Sequence, residues 1–173
     1  MRKKKIYDGK VLGLSVYDGM IEGRKVRREM IEHRGASAIL ALDEKDRVIL
    51  VRQHRFPHGY VLEVPAGTLE RREDPAECAF RELEEETGYV AEKMTHMITY
   101  YPSIGYNTEA IHCYLASGLK RVAGPRLDDD EILSVTKISL KRLLQMIKTG
   151  KIQDSKTICA VLLYAAGGNT HPS

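Results

Sequence analysis

The sequence predicts an α+β fold, arranged as an α/β/α sandwich with an N-terminal antiparallel β-sheet extension. The first third of the chain consists of short apolar runs separated by polar turns, a pattern typical of strands. Helical patterns with start and stop signals come later. Strands and helices do not alternate regularly, which argues against a simple parallel βαβ fold.

The first predicted elements are strands. Val11–Tyr17 is apolar and rich in residues that favour strands, and Asp18-Gly19 after it is a turn signal. Gly23–His33 alternates as a second strand. Two apolar runs, Ala36–Leu42 and Val48–Gln53, flank a polar turn. We expect these two runs to form an antiparallel hairpin within a larger sheet.

A helix follows, with clear signals at both ends. Asp74 can cap its N-terminus, Pro75 suits its first position, and Gly88 is a typical residue just past a helix end. The helix should therefore end at Thr87. Helical spacing predicts its buried stripe, which is Ala76, Phe80, Leu83 and Thr87.

The remaining elements are three strands and two helices. The strands are expected near Met94–Tyr101, Ala110–Ala116 and Ile132–Ile138. The helices are expected at Ser139–Lys148 and Ser155–Ala166, and glycine follows each of them.

The charge of the chain is segregated. Its 173 residues hold 27 Lys and Arg against 24 Asp and Glu, a net charge of +3. The window from Glu63 to Glu92 contains ten acidic and three basic residues, a net −7, so the rest of the chain carries +10. This distribution argues against a uniformly basic nucleic-acid-binding protein.

Other classes are disfavoured by composition. The 43% apolar content is too high for a disordered chain, and no apolar run is long enough to cross a membrane. The basic N-terminus lacks the apolar stretch of a secretory signal. Three widely spaced cysteines without a CxxC pair argue against a disulfide scaffold or a zinc site, so we expect a cytoplasmic protein.

Three carboxylates of the predicted helix share one face. Glu82, Glu85 and Glu86 lie at positions i, i+3 and i+4, where like charges destabilise a helix. A hard divalent cation with oxygen ligands would offset that repulsion, and Glu73 could add a ligand or orient one. The simpler alternative is a solvated acidic face paired with nearby basic side chains.

The residues around this cluster form a longer motif. Gly67 is followed after five residues by Glu73 and, after seven more, by the run Arg81-Glu82-Leu83-Glu84-Glu85-Glu86-Thr87-Gly88-Tyr89. This pattern resembles the signature of the Nudix hydrolase family at every defining position. The resemblance implies a Nudix sandwich at 35–173 and an N-terminal β-sheet extension at 1–34.

The resemblance also implies the metal site. It assigns metal ligands to the Ala66 carbonyl, Glu82, Glu86 and Glu85, with Mg²⁺ as the cofactor and Mn²⁺ as a possible substitute. Glu85 is also a candidate base. The reaction would be metal-assisted attack of water on a diphosphate joined to another moiety. Arg81 is expected to orient the neighbouring glutamates.

Three further segments are similar to the ADP-ribose pyrophosphatase group within the family. They are Val51–Pro57, Leu62–Gly67 and Tyr100–Ser103, which is followed by Ile104-Gly105 where the group usually has Pro-Gly. This similarity implies hydrolysis of ADP-ribose to AMP and ribose 5-phosphate. It also implies a homodimer, with the N-terminal sheet exchanged between protomers.

The same similarity suggests further site residues. In this group a loop acid often serves as the general base, which points to Glu131 and then to Asp129. The residues assigned to substrate binding are Arg28, Arg52, Glu63, Pro102, Gly105 and Glu109.

Two kinds of alternative remain open. The substrate could be another nucleoside diphosphate sugar, a dinucleotide such as NADH, or an oxidised nucleotide. The chain could instead be a catalytically silent module that senses a nucleotide, although its intact Glu82, Glu85 and Glu86 argue against this. Nucleic-acid binding rests only on the short basic run Arg2–Lys5, and we expect neither a nucleic-acid nor a membrane partner.

Overall fold

The N-terminal residues form a three-stranded antiparallel sheet. In the computed structural model, which describes residues 1–122, 124 and 133–167, the order of its strands is β1 (Arg2–Asp8), β2 (Gly13–Ile21) and β3 (Arg24–Glu32). The sequence did not predict β1, every residue of which is exposed. An exposed basic strand has no buried face and therefore no apolar alternation that a pattern could detect.

The turn between β2 and β3 differs from the prediction. Glu22 and Gly23 make it, at φ angles of 48° and 75°. Asp18-Gly19 lies inside the ladder instead, where its residues pair with Arg27 and Val26. The turn prediction at Asp18-Gly19 was therefore wrong, because neighbouring strand pairing overrides a local dipeptide preference.

The other described residues build one four-stranded sheet, one three-stranded sheet and a short two-stranded ladder. Their strand orders are β7-β4-β10-β9, β12-β5-β6 and β11-β8. The strands are β4 (Ala36–Ala41), β5 (Arg47–Arg55), β6 (Gly59–Glu63), β7 (Ala66–Thr68), β8 (Tyr89–Val90), β9 (Lys93–Tyr100), β10 (Ile111–Ser117), β11 (Lys120–Arg121) and β12 (Leu133–Ser139).

The expected hairpin of β4 and β5 does not form. The two strands belong to different sheets and are joined by an isolated bridge between Leu42 and Val48. All six residues of β4 are buried, and the strand pairs in parallel with β10 and antiparallel with β7. The apolar run that suggested a hairpin strand therefore belongs to a central strand covered on both faces.

In the part of the chain that the structure describes, three helices cover the sheets on two sides. They are α1 (Pro75–Thr87), α2 (Leu140–Lys148) and α3 (Ser155–Ala165). On one side Ile39 and Ile49 pack with Leu83 of α1. On the other side, alternate residues of the same two strands pack against α2 and α3 in a cluster that includes Leu40, Val48, Leu50, Leu143, Ala160 and Val161. This arrangement confirms the predicted α/β/α sandwich and the N-terminal antiparallel sheet.

Helix α1 has the predicted ends but a different buried face. The Asp74 carboxylate accepts a hydrogen bond from the Ala76 N–H, and Gly88 ends the helix in the left-handed conformation with φ of 70°. Phe80, expected in the buried stripe, is 40% exposed, whereas the smaller Cys78 and Ala79 are fully buried. Small side chains let the helix lie close to β4.

No helix among the described residues has the length and apolar character needed to cross a membrane. The three cysteines, which are Cys78, Cys113 and Cys159, are free thiols.

Candidate active site

Two carboxylates of α1 reach the backbone of the short segment from Glu63 to Gly67, which ends β6 and begins β7. The Ala66 N–H donates a hydrogen bond of 2.9 Å to the Glu86 Oε2. The Glu82 carboxyl group lies against Gly67, where a Cβ would fall 1.9 Å from the Glu82 Cδ. Only glycine leaves room for the Glu82 carboxyl group in this position. The helix and the segment are therefore fitted to each other at Ala66 and Gly67.

Arg81 holds three carboxylates from the centre of the acidic face. Its Nε and Nη2 donate to both oxygens of Glu73, at 2.8 and 3.1 Å. Its Nη1 donates to Glu82 at 2.6 Å and to Glu85 at 2.9 Å. The hydrogen bonds to Glu73 are the main reason why the pKa of Arg81 is raised, and Arg81 in turn holds the pKa of Glu73 below its ordinary value. Arg81 thus orients the acidic residues, as the sequence predicted.

The acidic residues differ in burial. Glu86 is only 3% exposed, so the face that it shares with Glu82 and Glu85 is not a uniformly solvated acidic face. The side chain of Glu82 is largely buried, and that of Glu85 is 44% exposed. Glu73 also accepts from the Glu70 N–H, which fixes it as a partner of Arg81. The exposure of the helix acids therefore increases from the buried Glu86, through Glu82, to the accessible Glu85.

The donor set has the chemistry of a site for a hard cation. Carboxylate oxygens and a nearby backbone segment are the ligands that Mg²⁺ prefers. Within the ranges that the structure describes, no three His, Cys, Asp or Glu side chains are already gathered as a metal cluster. The Arg81 guanidinium bonds to both Glu82 and Glu85 in this structure. The residues fit a cation by donor type, and a cation bound here would share these two carboxylates with Arg81.

A second ionic cluster surrounds Glu63, the first residue of the same segment. Arg55 donates to both oxygens of Glu63, at 2.9 and 3.0 Å. Lys156 at the start of α3 lies 3.1 Å from the Glu63 Oε2 and 2.6 Å from the Asp154 Oδ1. The Glu63 carboxylate, which was expected to contact substrate, is thus engaged by two basic side chains. Its role in substrate binding stays a prediction.

Arg52 lies on the other face of the β5–β6 pair from Glu63, because side chains alternate along a strand. Its guanidinium stacks 3.8 Å from the ring centroid of Tyr60. This contact is a cation–π interaction that holds an exposed arginine in one orientation. The substrate-binding role of Arg52 is not tested by this geometry.

The other residues expected to bind substrate are associated with the N-terminal sheet. The loop that contains Pro102, Gly105 and Glu109 is joined to β3 through the Ile31 N–H, which donates to the Tyr106 carbonyl at 2.7 Å. Glu109 accepts from the Asn107 side chain. Arg28 is exposed on β3 and donates to the Arg27 carbonyl.

The two predicted loop bases, Asp129 and Glu131, lie outside the described residues. Sequence reasoning also missed three residues at the start of α3, namely Asp154, Lys156 and Thr157. Aspartate is a strong N-cap residue, so Asp154 could have been recognised as the cap of a helix that begins at Ser155. No local signal could have shown that Lys156 reaches Glu63.

The fold and these carboxylates define a class of enzyme. The family model for the NUDIX domain matches residues 32–161, so the chain belongs to the Nudix family. A solved structure described as ADP compounds hydrolase has the same fold, with a TM-score of 0.79 and 20% identity over 96% of this chain and 91% of that one.

Two relatives with named functions are similar to this chain over more than nine tenths of its length. The chain is 40% identical to the methanol dehydrogenase activator of Bacillus methanolicus, over 93% of this chain and 89% of that protein. It is 39% identical to the ADP-ribose pyrophosphatase of Bacillus subtilis (strain 168), over 92% of this chain and 88% of that protein. The predicted family and enzyme class are confirmed: this is a Nudix pyrophosphatase.

Proposed function

We propose that this Nudix pyrophosphatase hydrolyses ADP-ribose to AMP and ribose 5-phosphate with Mg²⁺ as its cofactor. The observation that carries the proposal is the placement of Glu82 and Glu86 against the backbone of Gly67 and Ala66. The 39% identity to an ADP-ribose pyrophosphatase over nearly the whole chain supports the choice of substrate.

The residues that would hold Mg²⁺, or Mn²⁺ in its place, are Glu82, Glu85, Glu86 and the carbonyl of Ala66. Bound divalent cations would neutralise charge on the diphosphate oxygens and lower the pKa of the attacking water. The charge balance supports this assignment, because Arg81 is one guanidinium among the three carboxylates of Glu73, Glu82 and Glu85. The excess negative charge of this set would attract cations.

The protein groups have separate tasks in this reaction. Arg81 orients the carboxylates of Glu82 and Glu85 through the bonds of its Nη1. Glu85 is the most exposed of the helix acids described above, so its Oε atoms could accept the proton of the attacking water. Glu131 or Asp129 would take this proton if the base comes from the loop instead.

The substrate would lie between the carboxylates of α1 and the residues assigned to substrate binding. Arg52 presents a guanidinium fixed by Tyr60, and a guanidinium fork suits a diphosphate. Pro102, Gly105 and Glu109 lie on the loop joined to the N-terminal sheet, and Arg28 lies on that sheet. Glu63 would contribute from the end of β6.

A substrate panel tests the proposal. Rates would be compared for ADP-ribose, a nucleoside diphosphate sugar such as GDP-mannose, NADH and an oxidised nucleotide, each with Mg²⁺. We expect the highest kcat/KM for ADP-ribose. A rank well below the other compounds would refute this choice of substrate. Hydrolysis in H₂¹⁸O would then show which phosphorus the water attacks.

We also propose a cytoplasmic homodimer that associates through the N-terminal sheet. This sheet and the connection between β1 and β2 expose several large apolar side chains, which are Ile6, Tyr7, Val11, Leu12, Met20 and Ile21. Exposed apolar groups gathered in one small element are typical of an interface. Light scattering coupled to size-exclusion chromatography should give twice the 19.5 kDa chain mass. A mass of one chain at micromolar concentration would contradict the dimer.

A further inference from the structure

The first turn of α3 is joined to the segment between β6 and β7 by a chain of hydrogen bonds. The Asp154 Oδ2 accepts from the Thr157 N–H at 2.9 Å and from the Thr157 Oγ1 at 2.7 Å. The Thr157 Oγ1 in turn accepts from the Val64 N–H at 2.9 Å. Val64 and Thr157 are both fully buried. The helix cap therefore also satisfies a backbone donor of the segment.

Lys156 makes a second connection between the same two elements. Its ammonium lies between Asp154 and Glu63, and its side chain is 17% exposed. Burial alone would lower the pKa of Lys156 and raise that of Asp154. Their attraction and hydrogen bonds outweigh burial, so the pKa of Lys156 is raised and that of Asp154 is lowered. Both groups are charged, and with Arg55 and Glu63 they form a balanced set of two cations and two anions.

The segment continues directly into the candidate metal site. The Pro65 carbonyl accepts from the Ile39 N–H at 2.9 Å, and the Ala66 N–H donates to Glu86. Each residue from Glu63 to Ala66 is thus held by at least one polar contact. The contacts at Glu63 and Val64 come partly from α3, and the contact at Ala66 comes from α1. A displacement of the segment would move the Ala66 backbone that faces Glu86.

We propose that Lys156 and Thr157 are positioning residues for the metal site: they fix the segment that presents Ala66 to Glu86. The inference rests on the proposed function, in which Ala66 and Glu86 hold the cation. Lys156 contacts Glu63, and Thr157 accepts from the Val64 N–H, so each is placed to act through the segment. Substitution of a residue that orients a metal ligand without touching the metal typically lowers metal affinity or activity by about 10- to 100-fold.

Matched variants separate positioning from folding. Thr157→Val removes the hydroxyl with little change of shape, whereas Thr157→Ser keeps it. Lys156→Met alone would leave Asp154 and Glu63 with an excess of buried negative charge. The double variant Asp154→Asn with Lys156→Met leaves Arg55 paired with Glu63 and so removes this excess, and asparagine is also a good N-cap residue. Lys141→Met, at an exposed position of α2, is the control.

The experiment measures the Kd for Mn²⁺ by electron paramagnetic resonance, together with kcat and KM for ADP-ribose, on variants that fold by circular dichroism. We expect Thr157→Val and the double variant to weaken Mn²⁺ binding by about 10-fold and to lower kcat more than they raise KM. Thr157→Ser and Lys141→Met should match the parent protein.

Two results would overturn the inference alone. One is a parent-like Kd, within about twofold, in either Thr157→Val or the folded double variant. The other is a Thr157→Ser variant as weak as Thr157→Val. Failure of the parent protein itself to bind Mn²⁺ would instead overturn the proposed function, and this inference with it. If Thr157→Val does not fold, the double variant and Thr157→Ser still decide the question.

Discussion

Two ionic clusters contact the short segment from Glu63 to Gly67, one through α1 and one through α3, and they differ in charge balance. On the α1 side, Arg81 is one guanidinium shared by the three carboxylates of Glu73, Glu82 and Glu85. On the α3 side, Arg55 and Lys156 balance Glu63 and Asp154. The first cluster has unbalanced negative charge and one accessible acid, whereas the second is neutral and mostly buried.

This difference separates a site that can take up cations from one that holds its surroundings in place. Buried charges are tolerated only when they are paired, as they are on the α3 side. An excess of carboxylates in a partly exposed position is stabilised when a cation binds there and neutralises their charge. Substitutions in the two clusters should therefore have different effects on activity and stability.

The largest effect is expected for Glu86→Gln on the α1 side. The amide keeps the shape and can still accept from the Ala66 N–H, but it removes a charged ligand. We expect kcat/KM for ADP-ribose to fall by about 100-fold or more, with an unchanged circular dichroism spectrum. Activity within about threefold of the parent protein would show that the metal assignment is wrong.

A second effect comes from the close approach of Glu82 to Gly67. Gly67→Ala would place a Cβ 1.9 Å from the Glu82 Cδ, so that either the carboxylate or the segment must move. We expect kcat/KM to fall by about 10- to 100-fold. Gly124→Ala, where a Cβ would meet open space, is the control and should retain parental activity. Equal rates for the two variants would contradict the fitted geometry of helix and segment.

Arg81→Lys tests whether the guanidinium orients the acids through its shape or only through its charge. Lysine keeps the charge but cannot bond to Glu73, Glu82 and Glu85 together. We expect kcat to fall by about 10-fold, with a smaller change in KM. Arg71→Lys, at an exposed position before α1, should be silent. A parental kcat for Arg81→Lys would mean that charge alone suffices.

The smallest effect concerns stability on the α3 side. Because the pKa of Asp154 is lower in the folded than in the unfolded state, its ionisation stabilises the fold above the unfolded pKa, near 3.8. That contribution is lost as the pH falls below this value and approaches the folded pKa. Asp154→Asn should therefore lower Tm at pH 7. Between pH 7 and pH 3, the Tm of this variant should also fall by a few degrees less than the Tm of the parent protein. An identical pH dependence of Tm in the variant and the parent protein would show that the ionisation of Asp154 does not stabilise the fold.

The acidic helix was predictable because its signals are local. A cap, a proline, a terminal glycine and carboxylates at i, i+3 and i+4 all lie within one short stretch, and they gave α1 its correct bounds. The prediction that Phe80 is buried was wrong, because periodicity shows which residues share a helix face but not how closely a sheet approaches that face. The burial of Glu86 was missed for the same reason.

The α3 cluster could not have been predicted in this way. Arg55 and Glu63 lie in the first half of the chain, whereas Asp154 and Lys156 lie near its other end. Their contact depends on how β6 and α3 are placed by the sandwich. The separation of β4 and β5 into different sheets is a similar case, because strand pairing is decided by long-range contacts and not by the intervening turn.

The most direct test of the account is hydrolysis of ADP-ribose by the purified protein with Mg²⁺, with EDTA, and with EDTA followed by excess Mg²⁺. We predict that AMP and ribose 5-phosphate form in the first and third reactions and that EDTA abolishes their formation. Intact ADP-ribose in the presence of Mg²⁺, or product formation unaffected by EDTA, would contradict it.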